Sequence, residues 1–309
     1  MPTDLVATLI SPLPCLDEAL IARAAAVLPG AQARVLDDRR AIDLAFAPGD
    51  PDDPNVAPLG LSVLLSDYRD AILAEIGAHP VDVVIQPAER RRKRLFLADM
   101  DSTMIEQECI DELADYVGLK PQVAAITERA MRGELPFEPA LRERVALLAG
   151  LPETVVPEIV ERRITLMPGG RALVATLRAN GVHTCLVSGG FTAFTGPIAT
   201  MLGFHENHAN TLVVEDGKLA GRVAEPILGR EAKYATLIRL REALGLDEAE
   251  TLAVGDGAND LAMLGEAGLG VAYHAKPAVA AAAAARIDHC DLTALLYMQG
   301  YAAQEIVSA

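Results

Sequence analysis

Two aspartates two positions apart, Asp99 and Asp101, stand where the apolar run Leu95-Phe96-Leu97-Ala98 stops. Such a pair can divide a reaction between a nucleophilic carboxylate and a second carboxylate that moves a proton. By itself the segment Asp99-Met100-Asp101-Ser102-Thr103 reads equally as a strand followed by an Asx-type turn or as a helix cap. Three more groups follow in the chain: Ser188-Gly189-Gly190, Lys233 and Gly255-Asp256-Gly257-Ala258-Asn259-Asp260. Each alone is ordinary, a turn or a solvated lysine. Their order is not, because each comes just after an expected strand or within a helix that follows one. Ser188, the Gly189 amide and a helix N-terminus beyond them offer donors to an anion.

Continuous apolar runs such as 95–98 imply strands buried on both faces, and ligands of parallel sheets bind beyond the carboxyl ends of their strands. Strands are expected at 182–187, 211–214, 219–223, 251–254 and 270–273, with helices at 191–202, 231–244, after Asn259 and across the alanine run 280–285. Asp216-Gly217 reads as a hairpin turn. This alternation implies a mostly parallel sheet with helices on both faces. Residues 106–164 are helical in pattern, with Ile105, Cys109, Ile110, Leu113, Ala114 and Val117 on one apolar face. Inserted after the strand that carries Asp99, they are placed where a lid would be. Residues 1–88 read β-α-β-β-α-β, with strands at 5–10, 33–36, 41–46 and 81–85, helices at 16–27 and 61–76, and a polar loop at 49–54. That is a split βαβ, ferredoxin-like order, and it resembles an ACT-type regulatory domain in element order. A portion of this kind docks, dimerises or senses a ligand, so a homodimer is one expectation. The basic run 89–94 marks the join and reads as a solvated linker.

The chain has 309 residues, 51% of them hydrophobic, enough for about two domains. Its formal net charge of −16 argues against a nucleic-acid binder. The apolar stretches are broken by charges well short of a membrane span, and the N-terminus lacks the pattern of a signal peptide. A cytoplasmic protein is expected. Cys15, Cys109, Cys185 and Cys290 are scattered with no CxxC pair, which favours neither a disulfide framework nor a cysteine metal site.

Taken together, the four groups resemble the haloacid dehalogenase-like phosphatases over roughly residues 95–290. Residues 99–108, Asp-Met-Asp-Ser-Thr-Met-Ile-Glu-Gln-Glu, look like the phosphoserine phosphatase family within that superfamily. The resemblance implies a Rossmann-like parallel sheet with a helical cap at about 106–165, in a domain spanning 89–309. It implies hydrolysis of O-phospho-L-serine to serine and phosphate, the last step of serine biosynthesis, through an aspartyl-phosphate at Asp99, with Asp101 as acid and base. Bringing a phosphate dianion against an ionised carboxylate costs about 4 kcal/mol per pair of unit charges at ~4 Å and an effective dielectric near ~20, so cations are required. Hard oxygen donors and a phosphate suggest Mg²⁺.

By the resemblance the metal ligands are the Asp99 side chain, the Asp101 backbone carbonyl and Asp256, with Asp260 orienting Lys233 or a metal-bound water. Ser188, Gly189, Lys233 and Asn259 are matched to the phosphate. Glu108 and Arg144 are matched to the substrate's ammonium and carboxylate, and Met131 and Phe137 to an apolar closure. Glu108 is expected on the polar side of its helix. The competing readings are phosphoryl transfer to an alcohol and a ligand sensor built on a phosphatase-like scaffold.

Overall fold

The computed structural model describes residues 4–48, 61–131 and 134–308, without the side chains of residues 61, 62 and 131. The expected loop at 49–54 lies outside the described residues. The N-terminal elements are β1 (Leu5–Ile10), α1 (Glu18–Ala26), β2 (Gln32–Asp37), β3 (Ala41–Phe46), α2 (Leu61–Ile76) and β4 (Asp82–Pro87). They form an antiparallel sheet in the order β2-β3-β1-β4, the interleaving that a split βαβ requires. Asp17 caps α1 by accepting from the Leu20 amide at 2.8 Å. Leu5, Ala7 and Leu9 pack with Leu20, Ala24, Ile72 and Ile76 of the two helices. The whole of β1 is nevertheless buried, because the second half of the chain covers the other face of this sheet.

The basic run is only partly a solvated linker: Arg91 bridges that seam and Lys93 is buried, while Arg90, Arg92 and Arg94 stay about half exposed. The Arg91 guanidinium forks onto both oxygens of Asp43 at 2.8 Å and donates to the Met298 carbonyl at 3.1 Å. Arg90 pairs with Asp247, Arg92 with Glu305 and Arg94 with Glu250. Across the same seam Asp82 accepts the amides of Asp288 and Cys290 at 2.8 and 2.9 Å. Of these arginines Arg91 is the most covered, its side chain 11% exposed.

Lys93 is 6% exposed and donates to the Ala249 carbonyl at 2.7 Å. Burial, helped by the charge of Arg91, lowers its pKa to about 8. Between that value and the ordinary lysine value of 10.5 the unfolded chain binds a proton that the folded chain does not. Stability therefore rises with pH across this window and is flat below it. Lys93→Met is expected to flatten the slope, read as melting temperature against pH from 7 to 11.

The second half continues with β5 (Leu95–Ala98), the cap helices α3 (Cys109–Tyr116), α4 (Lys120–Met131), α5 (Phe137–Ala146) and α6 (Val155–Arg162), then α7 (Gly170–Ala179), β6 (His183–Phe191), α8 (Thr192–Leu202) and β7 (Glu206–Asn210). After these come β8 (Leu212–Glu215), β9 (Lys218–Val223), α9 (Arg230–Ala243), β10 (Thr251–Gly255), α10 (Leu261–Glu266), β11 (Leu269–Tyr273), α11 (Pro277–Ala282), β12 (Ala285–Ile287) and α12 (Ala294–Met298). Six strands make one sheet in the order β12-β11-β10-β5-β6-β7, every pairing parallel. Leu95 and Leu97 face one layer with Leu237 of α9 and Met263 of α10, while Phe96 and Ala98 face the other with Leu173 of α7 and Ile198 of α8. Coverage on both faces explains why this strand reads as unbroken apolar sequence.

Three expectations need correction. The strands expected at 211–214 and 219–223 do not join the main sheet. They form a separate hairpin, β8-β9, turned by Asp216 and Gly217 at φ 50° and 73°, as a two-residue hairpin turn demands. This hairpin packs on the cap, where the Leu219 carbonyl accepts the Gly150 amide at 2.8 Å. The helix across the alanine run ends at Ala282, and Ala285 opens the edge strand β12. β7 was not expected at all, because Glu-Asn-His-Ala-Asn lacks apolar alternation and an edge strand needs burial on fewer sides. No described helix is long and apolar enough to cross a membrane.

Candidate active site

β5 lies at the centre of the parallel sheet, flanked by β10 and β6, so the chain leaves three neighbouring strands at one edge. Asp99 follows β5 directly and is 5% exposed. Its amide donates to the Val254 carbonyl of β10 at 3.0 Å, and its Oδ1 accepts the Met100 amide and the Lys233 ammonium, each at 2.7 Å. Both contacts fall on Oδ1. The chain then turns tightly through Ser102 at φ 56°, with the Met104 and Ile105 amides returning to the Met100 carbonyl. The turn brings the Asp101 carboxylate back over the cleft, where Oδ1 accepts the Cys109 amide at 3.0 Å and Oδ2 the Ser188 hydroxyl at 3.3 Å.

Lys233 sits in the first turn of α9 and is 1% exposed, far from the solvated lysine that its type suggests. Its ammonium is 2.7 Å from Asp99 Oδ1 and 2.6 Å from Asp260 Oδ1. Burial alone would lower its pKa, but Asp99 and Asp260 hold it above the ordinary lysine value, so it stays charged. Asp260 anchors its other oxygen on the Gly257 amide at 3.0 Å. Only glycine fits beneath it, since a Cβ on Gly255 would stand 2.3 Å from the Asp260 carboxyl carbon. Thr103, fully buried, donates to Asp256 Oδ1 at 3.3 Å.

Oxygens of Asp99, Asp256 and Asp260 lie within 4.8 Å of one another. Burial and then Asp260 raise the pKa of Asp99 well above the usual carboxylate range, and the same two causes raise Asp256. Burial raises Asp101 as well. One ammonium does not neutralise this many carboxylates. The remaining negative charge and the all-oxygen donor set fit a hard divalent cation.

Ser188, Gly189 and Gly190 are strand rather than turn: β6 runs on to Phe191 and α8 starts only at Thr192. The Ser188 hydroxyl accepts the Gly190 amide at 2.8 Å, and a Cβ on Gly190 would stand 3.0 Å from both Asp101 Oδ2 and Ser188 Oγ. The cap closes the cleft from above. Phe137 opens α5 with its ring 3.4 Å from where a Cβ on Gly189 would stand. Glu108 takes the N-cap position of α3 and not a place on its polar side, because the backbone turns extended there. Although Glu108 is exposed overall, its carboxyl is turned into the cleft, where Oε1 accepts the Ser102 hydroxyl at 2.8 Å. Desolvation at that spot and the nearby Asp101 push its pKa up to about 7.

Arg144 faces the same cleft, donating to the Ala140 carbonyl at 3.2 Å. Among the described residues no carboxylate lies within ion-pair distance of its guanidinium. Asn259 also lines the cleft. Met131 ends α4, and its side chain lies outside the described residues. Sequence reasoning missed Thr127, Asp111 and Lys276 on the same walls. None carries a local motif; helical spacing of Thr127 and Asp111 toward the expected cleft was the one signal that would have found the first two.

A carboxylate leaving the central strand, a buried lysine from a later helix and an acidic loop from the next strand define a sheet hydrolase with an inserted cap. The chain belongs to the haloacid dehalogenase-like hydrolases, whose family model matches residues 96–265. It is similar to a protein of Streptomyces coelicolor named phosphoserine phosphatase, 44% identical over 243 residues, 78% of this chain and 59% of that one. The chain spans about half to two thirds of the length of several curated relatives it matches. A hydrolase of this superfamily from Salmonella enterica serovar Typhi has a similar structure across 95% of this chain and 98% of its own, with TM-score 0.80 and 27% identity. A substrate-bound phosphoserine phosphatase complex is 40% identical over 66% of this chain and 97% of its own, with TM-score 0.62.

Proposed function

We propose that this chain is a Mg²⁺-dependent phosphoserine phosphatase of the cytoplasm, hydrolysing O-phospho-L-serine to L-serine and phosphate. The observation that carries the reading is one cleft with Asp99, itself paired with the buried Lys233, on its floor and with Glu108 and Arg144, which has no carboxylate partner among the described residues, on its walls. The Asp99 carboxylate attacks phosphorus as the P–O bond to serine breaks, forming an acyl phosphate on Asp99. Asp101, whose pKa is raised, gives its proton to the departing seryl oxygen. Water then attacks phosphorus, returns a proton to Asp101 and frees Asp99 and phosphate. Ser188, the Gly189 amide, Lys233 and Asn259 hold the phosphoryl oxygens. Asp99, the Asp101 carbonyl and Asp256 would hold Mg²⁺, which when bound supplies charge stabilisation to the phosphoryl group.

Arg144 matches a substrate carboxylate and Glu108 an ammonium, the pairing that a zwitterion requires. Met131 and Phe137 close over them. Residues 1–88 are assigned to regulation or dimerisation and 89–309 to catalysis, with sedimentation of the full chain as the check on a homodimer.

The test is phosphate release from O-phospho-L-serine with and without Mg²⁺, beside other small phosphomonoesters. Activity that requires Mg²⁺ and prefers phosphoserine is expected. Arg144→Ala should raise KM for phosphoserine on the order of 10-fold or more, the worth of a charge-assisted pair, while hydrolysis of esters lacking a carboxylate changes little. Equal release from all esters by the wild-type protein would refute the substrate assignment and leave the Asp99 chemistry in place.

A further inference from the structure

The mechanism makes no use of a second group of metal-binding side chains, at the edge of the parallel sheet. His183 and Cys185 alternate on β6, and Glu206 and His208 alternate on β7. The register pairs Cys185 with Glu206 and Val187 with His208, so all four side chains rise from one face. Ligand atoms of Cys185, Glu206 and His208 lie within 4.8 Å of one another. Some point is then within about 2.8 Å of all three, and small side-chain rotations bring it to the ~2.0–2.3 Å that zinc requires. His183 Nε2 is 2.6 Å from Glu206 Oε1, and His208 Nε2 is 2.7 Å from Glu206 Oε2. His183 thus fixes one carboxylate oxygen while the other stays turned toward His208 and Cys185, the support that metal-bound carboxylates commonly have.

We propose that Cys185, Glu206 and His208 form a second metal site, for a borderline-soft divalent cation of the Zn²⁺ class, with His183 positioning Glu206. A thiol, an imidazole and a carboxylate select such a cation over Mg²⁺. Cys185 pairs with Leu97 of β5 and Glu206 of β7, so this site lies at the sheet edge, one to two strands to the side of the strand that carries Asp99. It joins the polar edge strand β7 to β6, which gives a physical role to a strand whose sequence lacks an apolar face. Binding converts the Cys185 thiol to a thiolate and releases that proton to solvent, while His208 offers the Nε2 lone pair. Arg239, half-exposed on α9 with NH2 3.1 Å from His208 Nε2 and 3.6 Å from Glu206 Oε2, swings outward to admit the cation.

The probe is Co²⁺, titrated into the full chain with Mg²⁺ in saturating excess so that the aspartate cluster is already occupied. A thiolate-to-cobalt charge-transfer band is expected, abolished by competing Zn²⁺. His208→Ala and Glu206→Gln should weaken Co²⁺ binding more than about 10-fold, and His183→Ala on the order of 10-fold through Glu206 alone. Arg239→Gln should tighten it. Cys185→Ser should remove the band; because Cys185 is fully buried, the part-exposed His208 and Glu206 variants carry the test if that protein does not fold. Absence of the band in the wild-type protein, or equal affinity in wild type and His208→Ala, overturns the site. Loss of phosphatase activity is not a readout here, so failure of this proposal is distinct from failure of the proposed reaction.

Discussion

Asp99→Asn is expected to lower kcat on the order of 10⁴-fold or more, since an amide oxygen does not replace a carboxylate as nucleophile. The fold should survive. Asparagine keeps the shape and still accepts the Met100 amide, and Lys233 retains Asp260 as its partner. The substitution even relieves crowding, because burial, Asp260 and Asp101 all oppose the charged form of Asp99. Phosphate release measured beside a thermal melt separates the two effects. Turnover within tenfold of wild type would remove Asp99 from the role of nucleophile.

Lys233→Met should have the largest effect on stability. Taking away one partner of a buried pair leaves its charge unopposed, typically at a cost of about 3 kcal/mol or more, and here two carboxylates lose the same ammonium. The loss depends on pH in a definite direction. Without Lys233, Asp99 loses the cation that lowers its pKa and is held still further above its unfolded value, so the folded variant binds a proton that the unfolded chain does not. Its stability therefore rises as pH falls toward 5, and the full penalty is present at pH 8. Denaturant midpoints of variant and wild type at the two pH values, without added metal, measure this. A penalty equal at both would mean that Lys233 acts through packing rather than charge. Adding Mg²⁺ should restore part of the stability lost at pH 8, since a bound cation opposes the same carboxylates. Phosphate release from the variant should also fall sharply.

How far the sequence could be read varied with how local each feature is. Asp99, Asp101 and Thr103 follow one apolar strand within five residues, and Asp256 to Asp260 follow another, so the spacing itself carries the geometry. Ser188 was legible as a polar break in an apolar run, but not the continuation of β6 to Phe191, because glycines signal turns more often than strands. Glu108 and Arg144 were legible as residue types, yet the cap helices decide that Glu108 stands at a helix start and that Arg144 shares its cleft. The basic run 89–94 looked wholly solvated because its partners, Asp43, Asp247, Glu250 and Glu305, are scattered along the chain.

By its sequence alone this protein determined a parallel α/β sheet with an inserted helical cap, a ferredoxin-like N-terminal portion, and an aspartate at the end of the central strand. Those features rest on periodicity and on residues close in the chain, where backbone geometry links position to direction. Only the tertiary structure decided that Lys233 is buried between Asp99 and Asp260, that the β8-β9 hairpin belongs with the cap, and that Cys185, Glu206 and His208 converge on a polar edge strand. Each of these joins side chains from different elements, and such contacts exist only once sheet order and register are set by packing.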